Sequence, residues 1–182
     1  MVPAQASRSG HALACPLCVD PGGQVLMETP NWRLVLVDDP DWPAYVRVIW
    51  NAHVRELSDL APEQAQALMS VLIGVEQVMR AVLQPDKINL ASLGNQVPHL
   101  HWHVIARWQD DHCFPASIWS QSALPMTGQA EAARPGDALK AAAAQARVHN
   151  TRIRLPELVA ALRRADLTEP ILFTPSEQVM HD

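Results

Sequence analysis

The chain is short of charge, of cysteine and of long apolar runs, and each shortage excludes something. Only 18% of its 182 residues are Asp, Glu, Lys or Arg, and the balance is acidic, with a net charge of −5. A broad nucleic-acid surface needs a basic stripe against the phosphates, and none is present. A small phosphate ligand held by backbone N–H groups and a few side chains remains compatible with that charge. No apolar run approaches the ~20 residues of a membrane span, so no membrane association is expected. The cysteines are three, Cys15, Cys18 and Cys113. That usage suits a cytoplasmic protein, where thiols stay reduced and a CxxC pair serves metal or redox chemistry. "ALAC" (12–15) superficially looks like a lipoprotein cleavage site, but the apolar stretch before it is short and Arg8 is its only basic residue. No internal repeat is visible.

With 48% apolar residues the chain has enough material for one globular domain with an appendage, and too little for two. Residues 1–14 are small and polar and are expected to fray; 15–110 read as a domain, and 111–182 as an irregular segment followed by a helical extension. "NWRLVLVDD" (31–39) reads as a strand ended by the turn-rich "DDPDWP". "AYVRVIWN" (44–51) alternates, with Tyr45, Arg47 and Ile49 on one side and Val46, Val48 and Trp50 on the other. Leu68, Val71, Leu72, Val75, Met79 and Val82 then recur at helical spacing. Ser58 is the expected N-cap, Pro62 an early-turn residue and Pro85 the stop. "INLASLG" (88–94) and "HLHWHVIARW" (99–108) read as an antiparallel strand pair joined by "NQVP". Three strands, a long helix and a strand pair make an α+β fold, an antiparallel sheet of about five strands with helices on one face. Further on, "DALKAAAAQARVHN" and "LPELVAALRRADL" read as two helical segments. The tail after Pro170 carries no signal.

The chemistry concentrates in "HLHWHVIAR" (99–107). Successive strand side chains point to opposite faces, so His99, His101 and His103 share one face while Leu100, Trp102 and Val104 share the other. The apolar set can bury against the long helix and leave the imidazoles opposite. A metal site on the sheet surface is an alternative use of three such histidines. Upstream, "LGNQVP" offers Gly94, whose backbone can approach a ligand, and two amides, Asn95 and Gln96, that can donate to phosphate oxygens. Taken alone it is also an ordinary hairpin turn. "CPLC" is half of a zinc site, two thiolates that one tetrahedral ion can take together; a redox couple or two buried thiols are its other readings.

"NQVPHLHWHVIAR", together with "WRLVLVDDPDWPAYVRVIWNAHVRELSDL", resembles the histidine-triad (HIT) superfamily, specifically its zinc-containing bacterial branch, over roughly residues 15–108. The resemblance implies a nucleotide hydrolase or nucleotidyl transferase. Its site would be the α-phosphate of a nucleoside phosphoramidate, ester or dinucleoside polyphosphate, and its intermediate a covalent nucleotidyl-histidine. It implies His101 as nucleophile and His103 as its catalytic companion on a phosphate or leaving-group oxygen. The Nδ1–H of His101 needs an acceptor, implied to be the His99 carbonyl, so that Nε2 is free to attack. Asn89, Gly94, Asn95 and Gln96 fall where such proteins hold substrate, with Asp38 or Asp39 toward the ribose. A structural Zn2+ on Cys15, Cys18, His53 and His99 is also implied, and no cofactor for the chemistry itself. A purine nucleotide or nucleotidyl conjugate is the implied ligand, and a homodimer the implied assembly. The alternatives are a nucleotide-binding regulator with little turnover and a metal-dependent hydrolase using all three histidines as ligands. The chain departs from the family pattern at Tyr45, where a histidine is common, and at Trp50 and Ala106, where prolines are common. It also carries Asn95 or Gln96 where some members have a serine.

Overall fold

A computed structural model describes residues 14–120 and 137–167, apart from the Asp137 side chain. The expectations for residues 1–13, for 121–136 and for the tail after Pro170 therefore lie outside the described residues. The elements run α1 (Pro16–Val19), β1 (Gln24–Glu28), β2 (Trp32–Leu36), β3 (Tyr45–Trp50), α2 (Pro62–Leu83), β4 (Lys87–Ala91), β5 (His101–Arg107) and α3 (Asp137–Arg164). The five strands form one sheet in the order β1-β2-β3-β5-β4. Every neighbouring pair is antiparallel, as the α+β reading requires.

Strand alternation divides that sheet into two faces of different chemistry. Trp32, Leu34, Leu36, Val46, Val48, Trp50, Ile88, Val104 and Ala106 belong to one buried apolar cluster with the stripe of α2. That stripe, Leu68, Val71, Leu72, Val75, Met79 and Val82, is the one the spacing predicts. The helix begins at Pro62, where the Gln64 side chain accepts the Ala61 N–H at 3.2 Å. Ser58 is not the cap. It sits in a 3-10 turn, Leu57–Asp59, where Asp59 supplies the oxygen that accepts the Glu56 N–H at 3.0 Å. Gln84, left-handed at φ 51°, ends the helix directly before Pro85. By length and composition alone α2 is apolar enough to cross a membrane, contrary to the reading of the sequence. In this fold its apolar stripe is spent on the sheet.

The two C-terminal helical segments are one helix, α3, which runs through Pro156. A proline removes one ladder hydrogen bond from a helix interior, a loss that tertiary packing can outweigh. Here Leu158 and Leu162, just beyond it, are fully buried in the main core. The helix packs on α2 and reaches β1. Arg147 ties it to Asp110 at 2.9 Å, and Arg152 donates to the Pro40 carbonyl at 2.8 Å.

The other face carries Arg33, Val35, Tyr45, Arg47, Ile49, Asn89, His101, His103, Ile105 and Arg107, brought level by the strand registers. It holds a smaller apolar cluster in which Cys15 and Leu17 pack on Val35 and Ile49. Thus the N-terminal knuckle sits on the histidine face, opposite the long helices. Gly23 lets the chain pass there: at φ 149° an added Cβ would lie 2.3 Å from the Leu36 carbonyl oxygen.

Candidate active site and metal centre

β5 starts at His101, so His99 lies just before the strand and not in its alternation. This separates the three histidines. His99 is 1% exposed, and its Nε2 lies 2.6 Å from the Trp50 carbonyl. A carbonyl only accepts, so Nε2 carries the proton and Nδ1 presents a lone pair. That lone pair faces both Cys15 Sγ and Cys18 Sγ, each at 3.5 Å.

Cys15 and Cys18 flank the first turn of α1, where the Cys18 N–H donates to the Cys15 carbonyl at 3.0 Å and brings both sulfurs to one side. His53, on the loop after β3, places its Nδ1 3.2 Å from Cys18 Sγ. All four ligand atoms lie within 4.8 Å of one another. A tetrahedral zinc ion with ordinary bond lengths needs sulfur–nitrogen edges of about 3.6 Å. The observed edges fit that ion, and the Trp50 carbonyl supplies the outer hydrogen bond that orients a ligating imidazole. The chain thus brings together a Cys2His2 group able to hold a metal ion.

Arg33, 8% exposed, fastens this knuckle to β2. Its guanidinium donates to the carbonyls of Leu17 (2.7 Å), Asp20 (3.4 Å) and Pro21 (3.0 Å) and to Asn51 Oδ1 (3.1 Å). Burial pulls its pKa below the usual value, with Glu28 and the two cysteines working the other way.

His101 and His103 remain on the strand face, their ring centroids 4.8 Å apart. His101 Nδ1 lies 2.6 Å from the His99 carbonyl, the acceptor named from the sequence. Its proton is therefore on Nδ1, and Nε2 carries the lone pair. Burial lowers the pKa of His101, the His99 carbonyl opposing and Arg47 assisting. Burial first, then His101 and Arg47, push His103 down to about 3. Both rings are therefore neutral at neutral pH. Neither stands on an open surface: His101 is 7% and His103 5% exposed. Trp119, in the irregular segment after β5, meets the His103 ring edge-on at 4.9 Å.

The expected substrate residues divide. Gly94 is left-handed at φ 63°, the reason a glycine suits that turn. Asn95 and Gln96 are exposed beside it. Asn89 is on the histidine face, but its Oδ1 already accepts from Arg107 Nη1 at 2.8 Å. Asp38 is exposed, whereas Asp39 Oδ1 accepts the N–H groups of Asp41 and Trp42 at 2.9 and 3.0 Å, holding the turn before β3.

Sequence reasoning missed Arg107 altogether. It is 1% exposed and pairs with Asp111 at 2.5 and 2.9 Å, also donating to the Ala116 carbonyl at 2.9 Å. Asp111 in turn accepts the N–H groups of Cys113 and Phe114. One ion pair thus holds the segment that carries Trp119. The signal was in the period: Arg107 continues the alternation His101, His103, Ile105. Tyr45 and Arg47, on one side of β3 by alternation, contact His103 through a register no single strand reveals.

Residues 22–110 match the model of the HIT domain, a span that starts just after the CPLC motif. An asymmetrical bis(5'-nucleosyl)-tetraphosphatase from Schizosaccharomyces pombe is 29% identical over 105 residues, 55% of this chain. The chain spans 58% of the length of that curated relative. Among solved structures, a histidine triad protein from Bradyrhizobium japonicum superposes with a TM-score of 0.57 at 24% identity, covering 80% of this chain and 91% of its own. Another, from Marinobacter aquaeolei VT8, gives a TM-score of 0.54 at 25% identity and covers 86% and 97%. Residues 22–110, which build the five-stranded sheet, are thus a HIT domain.

Proposed function

We propose that this chain is a nucleotide hydrolase or nucleotidyl transferase that works at the α-phosphate through a covalent nucleotidyl-His101 intermediate. The observation that carries this is the 2.6 Å contact of His101 Nδ1 with the His99 carbonyl, which leaves Nε2 unprotonated. The Nε2 lone pair forms a bond to phosphorus as the bond to the leaving group breaks. The departing atom keeps the electron pair and takes a proton from solvent. Water then attacks phosphorus, the P–N electron pair returns to Nε2, and a nucleoside monophosphate leaves. His103 holds a phosphate oxygen as charge develops. The name of the fission-yeast relative, a dinucleoside tetraphosphate hydrolase, fits a substrate of this class.

Cys15, Cys18, His53 and His99 would hold a zinc ion. With four protein ligands that ion would have no open position for substrate, and what it would supply is a cross-link between the knuckle and the approach to β5. The position of His99 also weighs against a catalytic metal on all three histidines, because neither of its nitrogens faces the other two rings.

The test is native and denaturing mass spectrometry of the whole protein, quenched seconds after mixing with an adenosine phosphoramidate or a dinucleoside tetraphosphate. A mass gain of one nucleotidyl group, absent from His101→Ala, is expected; turnover by His101→Ala refutes the nucleophile. The native spectrum also counts zinc and reads whether the chain is a homodimer. A binding protein with little turnover is the second reading, favoured by the burial of both rings, His103 against Trp119. Tight nucleotide binding with no product from either substrate would establish it.

A further inference from the structure

The chemistry just proposed uses neither Tyr45 nor Arg47, yet both face the triad from β3. Arg47 is the register partner of His103. Its Nε and Nη2 both donate to Tyr45 Oη, at 3.1 and 3.0 Å. A phenol oxygen has two lone pairs and one proton, and a guanidinium can only donate. With both lone pairs taken, the Tyr45 proton turns to the third neighbour, His103 Nδ1, 2.5 Å away. Nδ1 must then accept. A neutral imidazole carries a single proton, so that of His103 sits on Nε2.

The geometry points to Tyr45, clamped by Arg47, as a positioning residue that fixes His103 in the Nε2–H tautomer beside a His101 of the opposite tautomer. One backbone carbonyl makes His101 Nε2 a lone pair; one clamped hydroxyl makes His103 Nε2 a donor. Two imidazoles whose centroids are 4.8 Å apart thus present opposite polarity without either being charged. A substrate phosphorus would meet the lone pair and its oxygen the N–H. Two of the five Arg47 donors are spent on Tyr45, and Nη1 lies 3.5 Å from the Gly22 carbonyl. The use of this donor rests on the proposed function, but the tautomer itself does not.

Two-bond 1H–15N correlation spectra of histidine-labelled full-length protein, free of nucleotide at neutral pH, read the tautomer of each ring directly. Wild type should show His103 protonated on Nε2 alone and His101 on Nδ1 alone. Tyr45→Phe should shift the His103 Nδ1 resonance toward that of a lone pair without a donor. Arg47→Met returns lone pairs to the Tyr45 oxygen, so a second His103 population protonated on Nδ1 should appear. His101 should be unmoved in both variants. A wild-type His103 carrying its proton on Nδ1 overturns the inference, as does a His103 spectrum unchanged in both variants. If one variant fails to fold, the wild-type spectrum still decides. Since no turnover is measured, these spectra report the tautomer whether or not His101 proves to be a nucleophile.

Discussion

Arg33 and Arg107 lie on the same face of one sheet, either side of the histidines, and both are nearly inaccessible to solvent. Each pins an irregular segment to that face, but with different partners. Arg107 meets a carboxylate in two-point geometry, with an amide and a carbonyl completing its shell. Arg33 meets three carbonyls and one amide, and among the described residues none of its hydrogen bonds goes to a carboxylate. The loop side is therefore complete in itself, its charge balanced within four residues of sequence. The knuckle side is held by guanidinium bonds to neutral acceptors and by whatever joins two sulfurs to two imidazoles. In the reading proposed above, the two flanks of one site thus depend on different things: one on a buried ion pair, the other on metal occupancy.

Removing one partner of a buried ion pair leaves the other charge uncompensated, which costs about 3–5 kcal/mol. Asp111→Ala should therefore be the most damaging change on this face, read as a fall in the urea midpoint at constant slope. Arg33→Met, which removes the charge together with its bonds to neutral acceptors and strands no opposite charge, should cost about 1–3 kcal/mol. Equal losses, or the reverse order, would erase the contrast between the flanks.

A chelator should separate the flanks without any mutation. Stripping metal should speed hydrogen exchange at the Cys18 and Asp20 amides, which bond to Cys15 and Pro16 carbonyls within the knuckle. At least a tenfold rise is expected, equivalent to about 1.4 kcal/mol of lost protection. The Cys113 and Phe114 amides, bonded to Asp111 at 2.9 and 2.7 Å, should exchange as before. Cys15→Ser should show the faster exchange with or without chelator. Knuckle amides indifferent to the chelator would mean that no ion holds that flank.

Which parts of this are legible in the sequence follows from the range of the interactions. The α2 stripe and the two faces of β3 and β5 are local periodicities, and the structure carries them as read. Where one residue overrides a local rule, the structure departs from the reading. Ser58 has the right chemistry for a cap, but Pro62 and Gln64 start the helix later. The two C-terminal segments read as separate helices, but one helix runs through Pro156, with Leu158 and Leu162 buried beyond it. His99 alternates in the sequence, yet it precedes β5; its ring meets the cysteines, the company that the family resemblance implies. The Tyr45–His103 contact depends on strand register, and Trp119 on a loop without a period. Neither leaves a local trace.

Acid should make the smallest difference near neutrality and should reach the histidines before the Arg107–Asp111 pair. His103 has a folded pKa of about 3 against an ordinary 6.5, because burial, then His101 and Arg47, disfavour its charged form. Its contribution is fully present above pH 6.5 and is lost as the pH falls from there toward the folded value, since only the unfolded chain takes up the proton. For one such group the loss between pH 8 and pH 6 is about 1 kcal/mol, and His103→Gln should remove that part of the slope. For Asp111 burial raises the pKa, but the Arg107 hydrogen bonds and the N–H groups of Cys113 and Phe114 outweigh it, so the carboxyl sits below its ordinary 3.8. That contribution is present above 3.8 and is lost only below it, as the pH drops through the folded value. Urea midpoints for wild type and His103→Gln from pH 8 to 4.5 should therefore diverge while the Cys113 and Phe114 amides keep their protection. Parallel curves would mean that His103 is protonated in the folded chain, and its role as a neutral donor beside His101 would fall with that result.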